Sequence, residues 1–568
     1  MKIIIRTFIA LLLTWIAIGS PFIFGDGYGY YHAGKVLATT GEFTTQEKPD
    51  YFNYTGHGVV AINGEYITPY PSGNALMWFP LLKTASVFDS GTIYNDYYKA
   101  FNGHSIADGV AISLSAILFA SLSIFIIFKS LLLLKFGAKL SYFSSITTFL
   151  STLALAYTLI NASYSHIYEI FIFSAIVYLC LKIRDSQSKN IRIKPLSLWL
   201  IGILSGILFL VRPFDILLLI PIGIYLLKTC KFKTLYLIIG GIPFLLIFFA
   251  YNLASYGSIL KTGYSLSEGF IFVFNIDRLV QLLFSDIRGW YVYSPLMFLS
   301  TVGLLVLVKR NKNLILLTLL PVIVLILGYS FWQNWWAGDS IGQRFLLVLI
   351  PIMSIGTAQI MDRLKHRKIL ITSIVLICTC YSILVLGLIR FTPTDKIGTN
   401  RQDYQYINSY ERFGVSDILK YHWNLVIKSK NPTEYFQDLQ KGLSGGRSIG
   451  MIWLGLTKPI IQTASQGNDI FLYIIPTPTN SKTDSQIQVS LTTEQGTKIY
   501  QISGLDSSIY SQLVLNCVNT CSTSNTDLKE VGSDFDNALS QEKEFTIPNG
   551  KVTISVNDSL KLIKTIRE

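Results

Sequence analysis

Long apolar blocks with almost no charge dominate the chain, and short polar stretches separate them. The run from Leu314 to Phe331 is one such block. A helix of about 20 apolar residues crosses the roughly 30 Å hydrocarbon core of a bilayer. The pattern predicts a polytopic α-helical membrane protein with about eleven transmembrane helices, near residues 7–24, 108–128, 140–160, 166–182, 197–211, 214–228, 234–254, 290–308, 313–331, 344–361 and 369–390.

One shorter stretch has the periodicity of a helix with a single apolar face. Apolar residues recur there at i, i+3, i+4, i+7, i+8 and i+11, namely Ile276, Leu279, Val280, Leu283, Phe284 and Ile287. Polar residues such as Asp277 and Gln281 fall on the opposite face. This pattern predicts an amphipathic helix that lies on the membrane surface.

The pattern changes to short β-rich runs from about residue 468 to 565. Examples are Ile470–Ile475, Gln486–Leu491 and Val552–Val556, and turn-forming residues separate them. Such alternation predicts a small β-rich domain. The expected organisation is a membrane domain over 1–390, a partly helical connector over 391–467 and a β-rich domain over 468–568.

Composition agrees with a membrane protein and excludes a nucleic-acid-binding one. The chain is 51% hydrophobic and 14% charged, which is more apolar surface than a soluble fold can bury. Its formal net charge of +13 would suit nucleic acid only if the charge gathered on one exposed face. The charge lies between the apolar blocks instead, so membrane lipid and not nucleic acid is the expected partner.

The basic residues also predict an orientation. Cytoplasmic loops carry an excess of Lys and Arg, and every second loop here is basic: Lys129, Lys135 and Lys139; Lys182, Arg184, Lys189, Arg192 and Lys194; Lys228, Lys231 and Lys233; Lys309, Arg310 and Lys312; Arg363, Lys365, Arg367 and Lys368. We therefore predict a multi-pass protein of the cell membrane with a cytoplasmic N-terminus. The first helix is expected to be uncleaved, because no small-residue cleavage motif follows it. The segments 25–107, 255–289 and everything after residue 390 are then extracytoplasmic.

The first extracytoplasmic loop opens with a candidate catalytic acid. Asp26 stands between Gly25 and Gly27 where the first predicted span ends, a position suited to a general base that meets a lipid-anchored substrate. The alternative is a solvated acid in a glycine turn. Tyr70, in the same loop, is a candidate substrate contact, since aromatic rings stack on sugars, although aromatic residues also form interfacial belts.

Three arginines fall at the predicted outer boundary of the membrane: Arg212, Arg288 and Arg344. Charge in this region is costly and is usually paired or functional. A guanidinium is a planar donor that suits a phosphate or pyrophosphate. The alternative is internal pairing, of Arg212 with Asp215 or of Arg344 with Asp339.

His166 and Glu169 lie one turn apart at the outer start of a predicted span. They are candidates either for substrate binding or for a structural hydrogen-bonded pair, and Asp339 is a further substrate-binding candidate. No metal-ligand spacing occurs in the sequence. No cofactor is demanded, and a divalent metal stays open.

Together these fragments resemble the GT-C superfamily of membrane glycosyltransferases, which includes protein O-mannosyltransferases and the lipid A aminoarabinose transferase. The resemblance covers roughly residues 1–390 and rests on Gly25-Asp26, Tyr70-Pro71-Ser72-Gly73 with Pro80, Arg212-Pro213, Tyr256-Gly257-Ser258, Arg288-Gly289 with Ser294-Pro295, and Gly338 through Arg344 leading to Pro351. It implies that Asp26 is the base, that outer arginines contact the donor phosphate and that the sugar is transferred with inversion. The chain departs from the best-known members because Gly27 follows Asp26 where they have a second acid. Candidates for the missing carboxylate are Asp50, Glu65, Asp89, Asp96 and Asp339.

The expected function is transfer of a sugar from a polyprenyl-phosphate donor to a glycan, lipid or protein acceptor outside the cytoplasm. A transporter or flippase for lipid-linked or anionic substrates is the main alternative. It predicts polar groups near the bilayer midplane, whereas the candidate residues fall at the outer boundary. A non-catalytic assembly or sensor protein is a second alternative, and it would depend on the residues after 460 rather than on Asp26.

Overall fold

The computed structural model describes residues 2–19, 21, 23, 25–49, 58–62, 64–88, 104–263, 275–332, 335–336, 342–390 and 415–428, and strands between residues 460 and 566. This part of the chain is mostly helical. The predicted site residue Asp339 lies outside the described residues, as do Asp50, Asp89 and Asp96.

The α-helices follow one another as α1 (Lys2–Ile18), α2 (Asp26–Thr40), α3 (Gly73–Ala85), α4 (Ile106–Leu133), α5 (Ala138–Leu150), α6 (Ala154–Leu159), α7 (His166–Ser188), α8 (Pro195–Val211), α9 (Ile216–Cys230), α10 (Leu235–Tyr256), α11 (Ile276–Phe284), α12 (Trp290–Tyr293), α13 (Pro295–Arg310), α14 (Leu319–Phe331), α15 (Ile350–Arg363), α16 (Lys368–Arg390) and α17 (Val415–Lys428). Short 3-10 segments at Pro213–Asp215, Lys231–Thr234, Lys312–Leu317 and Arg344–Leu349 precede α9, α10, α14 and α15.

Five helical segments of the described chain are long and apolar enough to cross a membrane. They are Ile106–Leu133, His166–Ser188, Pro213–Tyr256, Arg344–Arg363 and Lys365–Leu388. The third of these contains α9 and α10, and the shorter helices α8 and α14 are also apolar. These helices are compatible with the predicted membrane protein. The number of eleven spans and their orientation stay predictions.

Several predicted blocks are interrupted. The block at 140–160 forms two helices, α5 and α6, and the block at 344–361 begins as a 3-10 segment. Helix α1 ends at Ile18, before the end of the predicted block at residue 24. Hydropathy detects an apolar block but not a break in its backbone hydrogen bonding. Separate helices were therefore predicted as one span.

The segment from Arg344 through α15 forms the centre of the helical domain. In its most apolar stretch 94% is buried, against 17% in that of Pro213–Tyr256. Close backbone contact makes this packing possible. A Cβ at Gly303 of α13 would stand 2.0 Å from the carbonyl oxygen of Gly356 in α15, so small residues let the two helices approach. The Thr357 hydroxyl lies 2.7 Å from that of Ser300 and 2.9 Å from that of Thr148, which satisfies buried polar groups across α13, α15 and α5.

The predicted amphipathic helix is shorter than its pattern indicated. It ends at Phe284, and Ile287, expected on its apolar face, lies beyond the helix and is buried. Ile276, Val280 and Phe284 form an exposed apolar stripe, while Leu282, which was not assigned to the apolar face, is buried. Leu279 and Leu283 of the predicted face pack against the core beside Leu282, so the helix faces the core with these leucines and solvent or lipid with the stripe.

Two sets of strands are described. β1 (Val60–Ile62) and β2 (Glu65–Ile67) form a small antiparallel hairpin before α3. The remaining strands are β3 (Ile460–Gln466), β4 (Asp469–Ile475), β5 (Asp484–Thr493), β6 (Gly496–Asp506), β7 (Ser511–Cys517), β8 (Cys521–Asn525), β9 (Glu542–Ile547), β10 (Gly550–Val556) and β11 (Lys561–Ile566). They pair in the orders β6-β5-β10-β9 and β11-β3-β4-β7-β8. The first strand begins before the expected boundary at 468, and a separate β-rich domain stays a prediction.

Candidate functional site

Asp26 begins helix α2 and is held by two side chains from distant parts of the chain. The Tyr70 hydroxyl donates to its Oδ1 at 2.8 Å, and Nη2 of Arg344 lies 2.8 Å from its Oδ2. The carboxylate also stands at a helix N-terminus, where the helix dipole favours negative charge. Its side chain is 27% exposed, so solvent or a substrate can reach it.

Gly25 allows this arrangement because its backbone adopts φ +47°, which L side chains rarely adopt. A Cβ at this position would also stand 2.6 Å from the Tyr164 hydroxyl. That hydroxyl in turn is hydrogen bonded to the backbone of Asp26. The glycine of the Gly25-Asp26 motif is therefore required both by conformation and by space.

Tyr70 reaches Asp26 from the loop that follows the β1–β2 hairpin. Its backbone N–H donates to the Thr68 hydroxyl at 3.1 Å, which forms a tight turn, and its ring lies 5.3 Å from that of Tyr30. Burial, with a further contribution from the negative charge of Asp26, raises the pKa of Tyr70 above its ordinary range. The phenol therefore remains protonated and able to donate.

Arg344 is almost completely buried at the start of the 3-10 segment Arg344–Leu349. Besides its ion pair with Asp26, its guanidinium hydrogen bonds the Tyr157 hydroxyl and lies 5.2 Å from the centre of the Tyr164 ring. Within the described chain its Nε has no hydrogen-bond partner. The predicted pairing with Asp339 falls outside the described residues, and the partner that the structure provides is Asp26.

Arg212 ends helix α8 and lies within a second polar cluster. Its Nη1 is 3.4 Å from Glu169 Oε2 and 3.2 Å from His166 Nδ1, and its Nε donates to the Tyr329 hydroxyl at 3.1 Å. His166 Nδ1 is also 2.8 Å from Glu169 Oε1. The structure thus brings Arg212 to the pair of His166 and Glu169 that the sequence nominated together, and it adds Tyr329.

Arg212 is paired internally, as the alternative reading expected, but with Glu169 and not through hydrogen bonds to Asp215. Asp215 is fully buried in the turn after Arg212, yet among the described residues neither of its carboxylate oxygens has a hydrogen-bond partner. The Arg212 guanidinium forms its ion pair with Glu169 instead. A separation of three residues across a helix end did not bring the Asp215 oxygens onto the Arg212 side chain.

One aromatic ring connects the two arginines. The centre of the Phe345 ring lies 4.3 Å from Cζ of Arg212 and 5.6 Å from Cζ of Arg344. Cation–π contacts of this kind stabilise desolvated guanidinium groups. The Asp26 pair and the Arg212 cluster are therefore neighbouring parts of one site.

Arg288 is also buried, but it is held by the backbone. Its Nε donates to the Trp336 carbonyl at 3.1 Å and its Nη1 to the Ile287 carbonyl at 3.2 Å. The positive charges of Arg344 and Arg288 both act on the Tyr157 hydroxyl. Arg288 thus contributes positive potential to the region around Arg344.

An apolar cavity of about 620 Å³ lies beside these residues. Its walls come from α8, α9, α10, α14 and the Tyr70 loop, and they include Leu217, Phe248, Phe331 and Trp332. Among the described residues that line it, Arg212 is the one that carries a charge, and Tyr70 lines it too. Tyr70 therefore touches both the cavity and Asp26.

Gly73 fixes the Tyr70 loop against the end of α8. A Cβ there would stand 2.2 Å from the backbone nitrogen of Val211, the residue before Arg212. The glycine of the Tyr70-Pro71-Ser72-Gly73 motif thus allows contact between this loop and the chain that positions Arg212.

Four residues of the site were not nominated from the sequence: Tyr157, Tyr164, Tyr329 and Phe345. Each is an aromatic residue in or beside an apolar block, where aromatic residues are common, so only adjacency to a nominated residue could have indicated Phe345. Among the residues that the structure describes, no group of three or more His, Cys, Asp or Glu side chains is arranged to hold a metal ion.

No model of a known protein family matches this chain, and a search of the curated proteins finds no match.

Proposed function

We propose that the protein is an integral membrane glycosyltransferase of the GT-C type, which transfers a sugar from a polyprenyl-phosphate donor to an acceptor hydroxyl. One observation carries the proposal. Tyr70 lines an apolar cavity that contains Arg212 and also donates a hydrogen bond to Asp26. A cavity that would suit a lipid with an anionic head group thus lies next to a carboxylate.

The donor would bind with its isoprenoid chain in the cavity and its phosphate toward Arg212. The lining is mostly apolar, as a lipid chain requires. The Arg212 side chain keeps 11% exposure and is oriented by Glu169 and Tyr329. Hydrogen bonds between charged partners contribute about 1.5–3 kcal/mol each, so the guanidinium would select the phosphate end of the lipid.

Asp26 would act as general base. Its carboxylate accepts the proton of the acceptor hydroxyl while that oxygen attacks the anomeric carbon of the donor sugar. The bond from the anomeric carbon to the phosphate oxygen breaks with its electron pair, and polyprenyl phosphate leaves with inversion. Arg344, Arg212 and Arg288 would stabilise the negative charge that develops on the phosphate. A carboxylate has lone pairs beyond those used by Tyr70 and Arg344, so the base can bind an acceptor without losing either.

The same proposal includes the finer topology. Eleven spans with a cytoplasmic N-terminus would put the site at the extracytoplasmic boundary of the cell membrane. The exposed stripe of Ile276, Val280 and Phe284 would lie in the membrane surface beside the donor's access route. The β-rich domain would sit outside the membrane, where it could hold a glycan, lipid or protein acceptor.

A transporter is the second candidate, and the buried acids favour it. Glu169 and Asp215 are fully buried near helix ends, and such residues mark proton or ion pathways in carriers. A carrier would move the lipid or an anion past Arg212 without using the Asp26 carboxylate as a base. The two functions differ in whether a glycosidic bond is formed.

The experiment is transfer of labelled sugar from a polyprenyl-phosphate sugar to membrane acceptors by the purified protein, with wild type compared to Asp26→Asn. We expect transfer to fall by at least about 100-fold, the scale of general-base catalysis, with donor binding retained. The matched control is Asp277→Asn, an exposed acid at the start of α11. Full activity of Asp26→Asn would exclude Asp26 as the base, and transport without transfer by wild type would favour the carrier.

A further inference from the structure

Two tyrosines at the C-terminal end of α10 hold the loop that carries Tyr70. The Tyr251 hydroxyl lies 3.1 Å from the carbonyl oxygen of Thr68 and 3.2 Å from that of Tyr70. The Tyr256 hydroxyl donates to the Thr68 carbonyl at 2.8 Å. A phenol has one proton, so Tyr251 shares its proton between two carbonyls. The backbone from Thr68 to Tyr70 is therefore positioned by α10.

Both tyrosines also line the apolar cavity. The chain beyond α10 packs on the same loop, since a Cβ at Gly263 would stand 1.9 Å from the carbonyl oxygen of Pro69. Gly263 and Pro69 are cavity-lining residues as well. One wall of the cavity and the backbone of the Tyr70 loop thus form a single packed unit.

A small movement of this unit would change the hydrogen bond between Tyr70 and Asp26. Tyr70 is joined to Asp26 by one hydrogen bond of 2.8 Å, and such bonds weaken steeply when distance or angle departs from the optimum. A misplacement of about 1 Å in a reacting group can cost roughly 100-fold in rate. The position of the Thr68–Tyr70 backbone therefore sets one of the two contacts that hold the carboxylate, the other being the ion pair with Arg344.

We propose that Tyr251 and Tyr256 are positioning residues. When the donor lipid occupies the cavity, they couple its binding to the hydrogen bond that holds Asp26. A lipid chain packed against their rings fixes the loop carbonyls, and the loop then holds the Tyr70 hydroxyl on the carboxylate. This inference rests on the proposed function, because it takes a polyprenyl phosphate as the cavity's occupant. It adds that donor binding prepares the base before the acceptor arrives.

The first test is kinetic and uses the double variant Tyr251→Phe/Tyr256→Phe, which keeps both rings and removes both hydroxyls. We expect kcat to fall about 10- to 100-fold, because the base is misplaced, while KM for the donor changes less than about twofold because the rings that line the cavity remain. Tyr236→Phe is the matched control, since Tyr236 lies on the same helix and is exposed. An unchanged kcat, or a loss confined to donor KM, would overturn the proposal.

The second test does not depend on sugar transfer. Backbone hydrogen exchange over residues 64–72 is measured with and without a polyprenyl phosphate that carries no sugar. Exchange should slow on lipid binding in wild type but not in the double variant, although both bind the lipid. Equal slowing in both proteins would overturn the coupling, whereas failure of wild type to bind the lipid would refute the proposed donor and this inference with it. If the double variant does not fold, Tyr256→Phe, which removes the Tyr256 hydrogen bond to Thr68 and leaves the Tyr251 hydroxyl in place, replaces it and should lose part of the slowing.

Discussion

The carboxylate of Asp26 and the guanidinium of Arg344 form an ion pair, with 2.8 Å between Oδ2 and Nη2, although the two residues begin helical segments at opposite ends of the helical domain's sequence. The Arg344 side chain is almost completely buried, whereas that of Asp26 is partly exposed. The pair thus presents a carboxylate to the solvent side and fixes it from the protein side.

Removal of the arginine should destabilise the fold as well as the site. For Arg344→Gln we expect a loss of about 1.5–3 kcal/mol in unfolding free energy, the scale for hydrogen bonds to charged groups, because Asp26 loses its charged partner. Thermal unfolding in detergent measures this loss, with exposed Arg310→Gln at the end of α13 as control. In the double variant Asp26→Asn/Arg344→Gln, the loss of unfolding free energy should be smaller than the sum of the losses in the two single variants. Strict additivity would mean that the pair contributes nothing.

Loss of the Tyr70 hydroxyl should lower activity by the same factor at every pH. We expect Tyr70→Phe to reduce sugar transfer about 10- to 150-fold, which corresponds to the roughly 1.5–3 kcal/mol of one hydrogen bond to a charged group. The pKa of Tyr70 is raised, first by burial and then by Asp26, so wild type keeps its proton between pH 7 and 10 (reference pKa of about 10). The ratio of the two pH–rate profiles should therefore be flat. A wild-type advantage that fades toward pH 10 would show that Tyr70 ionises.

Buried His32 predicts a loss of stability in mild acid. Burial lowers its pKa from 6.5 to about 4, although its contact with the Tyr66 carbonyl, 2.9 Å from Nε2, acts in the opposite direction. The folded state disfavours the protonated ring. The unfolding free energy is therefore at its full value above pH 6.5 and decreases as the pH falls toward 4, by about 3 kcal/mol in total. Unfolding temperatures of wild type and His32→Gln, measured between pH 7 and 4.5, test this. The variant should lose less stability than wild type over that interval, and parallel losses would contradict the assignment.

The Tyr70 loop should not tolerate a side chain at Gly73. In Gly73→Ala the new Cβ would meet the backbone of Val211 and Leu210, which cannot move without displacing Arg212. We expect a destabilisation of about 1–3 kcal/mol, as for overpacked cores, together with weaker binding of a polyprenyl phosphate. In Gly223→Ala, the control in α9, no described atom lies within 4 Å of the new Cβ, and stability should stay equal or rise slightly. Wild-type stability and lipid binding in Gly73→Ala would refute the contact.

The positions of the apolar helices could be predicted from the sequence because a membrane span is a local property of length and hydropathy. The blocks at 108–128, 166–182 and 369–390 correspond to α4, α7 and α16. The break between α5 and α6 was missed, because it depends on hydrogen bonding and packing rather than on apolar content. The amphipathic stripe was located, but the end of its helix and the burial of Ile287 depend on contacts with the core.

The sequence by itself determined which residues carry charge beside the apolar blocks, and this nominated Asp26, Arg212, Arg344, His166 and Glu169. Only the tertiary structure decided the partners: Arg344 with Asp26, and Arg212 with Glu169 rather than with Asp215. A side chain's partner depends on which helix ends meet in space, and long-range packing sets this. For the same reason the cavity, and the place of Tyr70 between it and Asp26, could not be found by reading residues in order.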